Sequence, residues 1–139
     1  MTDATMRAGG CLCGKVRYEV PREMKTAAKC HCLQCQKSTG ASAMTAAVYA
    51  NEDVKISGET KSYTYTSDAG RPVTNNFCPN CGSSVTMITP GLAGLTLIRA
   101  GTLDDSSGLD PQFVVFNKRR PDWDADNPNI PHFPEMPPA

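Results

Sequence analysis

The seven cysteines of this chain fall into three tight groups: Cys11-Leu12-Cys13-Gly14, Cys30-His31-Cys32-Leu33-Gln34-Cys35 and Cys78-Pro79-Asn80-Cys81-Gly82. Zinc takes four tetrahedral ligands where it is structural, and often three plus an open position where it is reactive. Two pairs make four and the local triad makes three, so seven thiols match two metal ions. Each pair supplies two ligands and needs a distant partner. Joining Cys11 and Cys13 to Cys78 and Cys81 closes one site across the chain, and Gly14 and Gly82 permit the positive φ of a tight turn there. A four-thiolate zinc carries about two negative charges, which nearby backbone donors must answer. Its binding energy is folding energy, because the unfolded chain has no such site. Cys30, Cys32 and Cys35 lie within one short turn and leave one position for water, a substrate or a fourth ligand.

Other uses of cysteine fit less well. A disulfide framework calls for an even count in a secreted chain, whereas this count is odd and residues 1–10 lack the apolar core of a signal peptide. Cysteines two residues apart in extended chain rarely meet disulfide geometry. A reducing, cytoplasmic compartment is the expectation. Cys78 and Cys81 have the redox C-x-x-C spacing, but no strand leads from them into a thioredoxin-type helix. His31 lies between two cysteines and should point away from them. His132 reads as an exposed loop residue.

A zinc ion with three thiolates is a poor Lewis acid and suits the holding of an incoming thiol as a thiolate. The chemistry that follows is a sulfur nucleophile adding to a small carbonyl. Formal net charge is zero, there is no basic stripe of the kind nucleic-acid binders carry, and no apolar run is long enough to span a bilayer. Nucleic-acid and membrane partners are not expected. Charge is uneven, however. Lys15, Arg17, Arg22, Lys25, Lys29 and Lys37 surround the triad in sequence, while Asp104, Asp105, Asp110, Asp122, Asp124, Asp126 and Glu135 make the C-terminal part acidic. A small anionic ligand near the triad is favoured, with Lys29 and Lys37 placed to offset its charge.

The elements that must position these residues read as all-β, with few short helical turns. Residues 15–20 alternate apolar and charged side chains, the period of a half-buried strand. Similar runs are predicted at 42–49, 54–57, 61–66, 72–77, 84–88, 95–100 and 113–116, separated by Gly, Asn, Asp and Pro turn signals. Such spacing points to a sandwich or rolled sheets. Only 33–39 has room for a helical turn. The proline-rich segment from Pro121 is excluded from central strands and helix interiors. It should wrap over the sheet through Trp123, Ile130, Phe133 and Met136. At 139 residues one domain with a real core is expected.

Three stretches carry a resemblance: GGCLCGKVRYE at 9–19, CHCLQCQKSTG at 30–40 and FCPNCGS at 77–83. Together with Trp123 and the IPHFP of 130–134, they resemble the glutathione-dependent formaldehyde-activating family, which includes the centromere protein V domain. The resemblance implies zinc-bearing rolled sheets like those of the Rab-GTPase zinc chaperone. It implies a structural zinc at Cys11, Cys13, Cys78 and Cys81 and a catalytic zinc at Cys30, Cys32 and Cys35. The implied activity is formation of S-hydroxymethylglutathione from glutathione and formaldehyde, a carbon–sulfur lyase reaction in classification. No motif names glutathione, but Lys37, Ser38, Thr39 and Gly40 are candidates for its carboxylates, with Arg119 and Arg120 behind them. The expected organisation is a flexible start at 1–8, one zinc domain with its wrapping tail at 9–136, and a flexible end at 137–139. A non-catalytic, zinc-stabilised binding module of the same fold is the alternative.

Overall fold

The computed structural model describes residues 5–138. Ten strands form two sheets, with one α-helix. The smaller sheet has the order β1 (Met6–Gly10), β2 (Arg17–Pro21), β5 (Lys55–Ser57) and is antiparallel. The larger contains β3 (Thr26–Cys30), β4 (Met44–Ala50), β6 (Lys61–Thr66), β7 (Pro72–Phe77), β8 (Ser84–Ile88), β9 (Leu95–Arg99) and β10 (Phe113–Val115). Its spatial order is β10-β3-β4-β9-β8-β7-β6, and only the β10–β3 pair is parallel. Helix α1 (Leu33–Thr39) occupies the one segment where the sequence leaves room for it.

Eight strands lie where alternation places them, with ends moved by no more than two residues. Two do not. β3, Thr-Ala-Ala-Lys-Cys, has small residues in place of the large apolar ones that signal a strand, and it forms because β4 and β10 flank it on both edges. β1 begins at Met6, inside the stretch expected to be a flexible start, because its backbone is fully paired with β2 from Met6↔Pro21 to Gly10↔Arg17. The rest of that start, 1–4, and Ala139 at the end lie outside the described residues.

The sequence makes two cores because the larger sheet is apolar on both faces. Side chains alternate across a strand, so Ala47, Tyr49, Val85 and Ile98 meet Val16, Tyr18 and Val20 of the smaller sheet in one core, which also takes in Cys11 and Cys78. The other face carries Met44, Ala46, Val48, Val73, Met87 and Leu97, with Cys35 buried among them and Cys30 and Cys32 packed against them. Each cysteine group is thus assigned to its own face.

Gly9 shows how closely β1 is packed between its neighbour β2 and the turn that follows β9. A Cβ there would stand 2.4 Å from the Thr102 carbonyl oxygen and 2.4 Å from the Tyr18 hydroxyl. Gly9→Ala is therefore expected to cost about 1–3 kcal/mol of stability by overpacking, seen as a lower midpoint in urea. An unchanged midpoint would mean that β1 can move aside.

The C-terminal segment does wrap, but not as its apolar residues suggest. Trp123 and Met136 remain exposed, at 72% and 51%. Attachment is through the main chain beside β10: Val114 N–H donates to the Pro131 carbonyl at 2.9 Å, and Phe133 N–H to that of Val114 at 2.8 Å. Phe133 adds an edge-to-face contact with Phe113. His132, expected to be an exposed loop residue, is half-buried in a parallel bridge with Val114.

Candidate metal centres

The first centre is built by two tight turns brought together by the sheets. One follows β1 and the other follows β7, and each closes by a glycine N–H donating to a cysteine carbonyl: Gly14 to Cys11 at 3.1 Å, Gly82 to Cys78 at 2.8 Å. Both glycines have the positive φ the turn requires, 82° and 80°. The sulfurs of Cys11, Cys13, Cys78 and Cys81 all lie within 4.8 Å of one another. Cys13 Sγ stands 3.6 Å from Cys11 Sγ and 3.7 Å from Cys78 Sγ. A tetrahedron with metal–sulfur bonds of about 2.3 Å has edges of about 3.8 Å. The donor set therefore fits zinc. The expected backbone donors are present as well, although they are not the glycines. Val16 N–H points at Cys11 Sγ (3.2 Å), Asn80 N–H at Cys78 Sγ (3.4 Å), and Ser83 Oγ lies 3.3 Å from Cys81 Sγ. Hydrogen bonds from Ser83 hold the Cys81 thiol down to about 5, thiolate at neutral pH. An open cleft of about 540 Å³ beside this cluster is lined by Lys15, Glu59, Cys78, Pro79 and Asn80.

The second centre sits where β3 ends and α1 begins. Cys30 is the last residue of β3, Cys32 is the N-cap of α1 with Sγ accepting from Cys35 N–H at 3.3 Å, and Cys35 is buried in the helix. One helical turn thereby gathers three sulfurs within 4.8 Å. Their hydrogen bonds to one another divide the protons unequally. Donation from Cys30, then from Cys35, holds Cys32 down to about 3, while its neighbour Cys32 pushes Cys30 up to about 12 and both neighbours push Cys35 up. A cation is what would draw off the remaining protons, and three thiolates suit zinc.

His31 does point away from the sulfurs. It is fully buried, with Nδ1 donating to the Ser42 carbonyl and Nε2 to Asp126 Oδ2, both at 2.6 Å. Both ring nitrogens are thus committed elsewhere. Among the described residues no histidine or carboxylate joins the three sulfurs. Gln36 Nε2 braces the turn by donating to the carbonyls of His31 and Arg119, each at 2.9 Å.

The predicted ligand-contacting residues have mixed placements. Lys37 is exposed on α1, and Gly40 is its left-handed C-cap at φ 70°. The hydroxyls of Ser38 and Thr39 donate to the Cys35 carbonyl at 3.3 and 2.7 Å, closing the helix. Lys29 pairs with Asp126 instead of facing the sulfurs. The basic side chain on the triad's own face is Arg99, which the sequence reading did not single out. It follows Leu95 and Leu97 at alternate positions of β9, and its register partner Ala46 shares a face with Met44, the partner of Cys30. A charge at the inward position of an apolar strand was the available signal. Asp126 was hidden among surface acids of the tail for lack of any such pattern.

A mostly β protein with two sheets, one helix and two cysteine groups able to hold metal is the class this defines. The glutathione-dependent formaldehyde-activating enzyme family matches residues 6–119, and the chain belongs to that family. A crystal structure of a Rhodobacter sphaeroides protein is similar in fold, with a TM-score of 0.58 at 20% identity over 90% of this chain and 98% of that one. No curated protein is a match to the chain. Among the described residues no helix is long and apolar enough to cross a membrane.

Proposed function

We propose that the protein is a zinc-dependent carbon–sulfur lyase of the formaldehyde-activating type. It adds a thiol, glutathione or a relative, to formaldehyde or another small carbonyl. The observation that carries this reading is the second centre: three sulfurs on one turn, with His31 turned away and no fourth protein ligand among the described residues. In this reading Cys11, Cys13, Cys78 and Cys81 hold a structural zinc, and Cys30, Cys32 and Cys35 hold a catalytic one. Zinc at the triad supplies deprotonation of an entering thiol at neutral pH.

The chain does the rest. Cys30, Cys32 and Cys35 fix three positions and leave one direction of approach. Gln36 and His31 keep the turn rigid, which matters because positioning is most of what a spontaneously reactive pair needs. Lys37 and Arg119, exposed on and beside α1, are the cations available to the carboxylates of glutathione, with Ser38, Thr39 and Gly40 forming the adjoining turn. In the reaction the sulfur lone pair forms the C–S bond and the carbonyl π pair moves to oxygen. A proton equivalent to the one lost by the thiol then returns to that oxygen. A reducing, cytoplasmic setting belongs to the same proposal, since seven free thiols are needed.

Glutathione is expected to bind with release of about one proton, because a coordinating thiol is deprotonated outright. S-methylglutathione, which cannot form a thiolate, should bind at least tenfold more weakly. Calorimetry in two buffers of different ionisation enthalpy measures the proton. Equal affinities with no proton released would show that the thiol does not reach the metal, and the domain would then be a binding module.

A further inference from the structure

The protein buries two arginines, and they are treated differently. Arg7 spends all three guanidinium nitrogens on carbonyls, Nε on Arg22 (3.1 Å), Nη1 on Asp105 and Nη2 on Ser107 (both 2.8 Å). It cross-links the loop that follows β9 to the smaller sheet. Arg99 is just as buried, 6% exposed against 7%, but only Nη2 is used, donating to Asn75 Oδ1 at 2.8 Å. Its Nε and Nη1 have no partner among the described residues, nor does any carboxylate there pair with it. A buried cation with orphan donors is costly and is retained where something else answers it.

What Arg99 faces indicates what that is. Through the register β3–β4–β9, Cys30, Met44, Ala46 and Arg99 lie on one face of the larger sheet. Asn75 is on that face as well, since it pairs with Met87, which pairs with Leu97. Burial works against the charged guanidinium, while Cys35, Tyr65, Cys32 and Cys30 favour it. Asn75 fixes its orientation, leaving two N–H groups unspent on the sheet face that carries Cys30.

We propose that Arg99 is an anion-binding residue of the triad site, and that its free Nε–H and Nη1–H receive the carbonyl oxygen that becomes negative as a thiolate adds. This rests on the reaction proposed above. The C–S bond forms from the sulfur lone pair, the C=O π bond breaks toward oxygen, and Arg99 binds that alkoxide until it is protonated to the hydroxymethyl product. Donors prepositioned for a developing oxyanion are commonly the largest single contribution to such a step.

Formate is the probe, a one-carbon anion titrated into the zinc-loaded full-length protein without thiol or aldehyde and followed by ¹³C line broadening. Saturable binding is expected in the wild type, at least tenfold weaker in Arg99→Met, with partial recovery in Arg99→Lys. Because the variant removes an unanswered buried charge, Arg99→Met should melt no lower than the wild type. Zinc-loaded Arg99→Met should also form the glutathione–formaldehyde adduct about a hundredfold more slowly. Formate binding that is absent in the wild type, or equal in all three proteins, overturns the proposal, as does an adduct rate in Arg99→Met equal to that of a wild type that accelerates the reaction. A lower melt with formate binding retained marks a structural arginine and also overturns it. Formate binding that depends on Arg99, in a wild type that does not accelerate adduct formation, upholds the anion site and rejects the proposed function instead.

Discussion

Cys13→Ser or Cys81→Ser is expected to abolish the folded state, while Cys32→Ser leaves a folded protein that has lost one of two zinc equivalents. The difference follows from where each group sits. Cys11 and Cys78 are buried in the core between the two sheets, and the turns carrying their partners join the end of β1 to the end of β7. Structural zinc contributes on the order of 10 kcal/mol to folding, as much as the whole net stability of an ordinary domain. The triad occupies one helical turn at the margin of the other core, and β3, β4 and β10 are paired without it. Metal analysis combined with thermal melts checks both halves. Equal losses of stability for the two classes would end the division into a structural and a catalytic centre. So would protein purified without chelator that carries no zinc.

The sequence was most informative where chemistry is local. Three sulfurs within six residues must meet wherever that turn goes, and the pairs at Cys11 and Cys78 carry their glycines with them. Strands β6, β7 and β8 were legible to the residue because Tyr65, Val73 and Val85 alternate with polar neighbours between clear turns. β3 was not, since Ala27 and Ala28 have no hydrophobic signal of their own and are buried or half-buried only through the strands beside them. Arg99 and Asn75 meet only through the register of three strands, which no local spacing encodes. The tail misled for a related reason. Its apolar residues suggested how it packs, whereas backbone pairing with β10 and a pair of aspartates fasten it, leaving Trp123 in solvent.

Those aspartates carry the second large expected effect. Asp126 is 1% exposed at the side chain, gives one oxygen to Lys29 and the other to His31, and stands behind the loop that holds the triad. Asp124 accepts from Ser42 Oγ, on the segment whose carbonyl receives His31 Nδ1–H. Asp126→Ala leaves the half-buried Lys29 ammonium and the His31 ring without their shared acceptor, a loss of about 3–5 kcal/mol, measured as a shift of the urea midpoint. The effect should depend on pH in a definite direction. Burial alone would raise the Asp126 carboxyl, but Lys29 and then His31 outweigh it and hold it below its ordinary value. A depressed carboxylate contributes stability that is complete above its unfolded pKa of about 3.9 and is lost as pH falls through the folded value. The gap between wild type and Asp126→Ala should therefore narrow as pH falls below about 4. A gap that widened in acid would mean that Asp126 is protonated in the native fold and donates to its neighbours. The same variant tests the tail's link to the reactive centre. His31, freed of one of its two anchors, would let the turn between Cys30 and Cys32 relax, so the triad should lose its metal to a chelator sooner while the four-cysteine centre keeps its own.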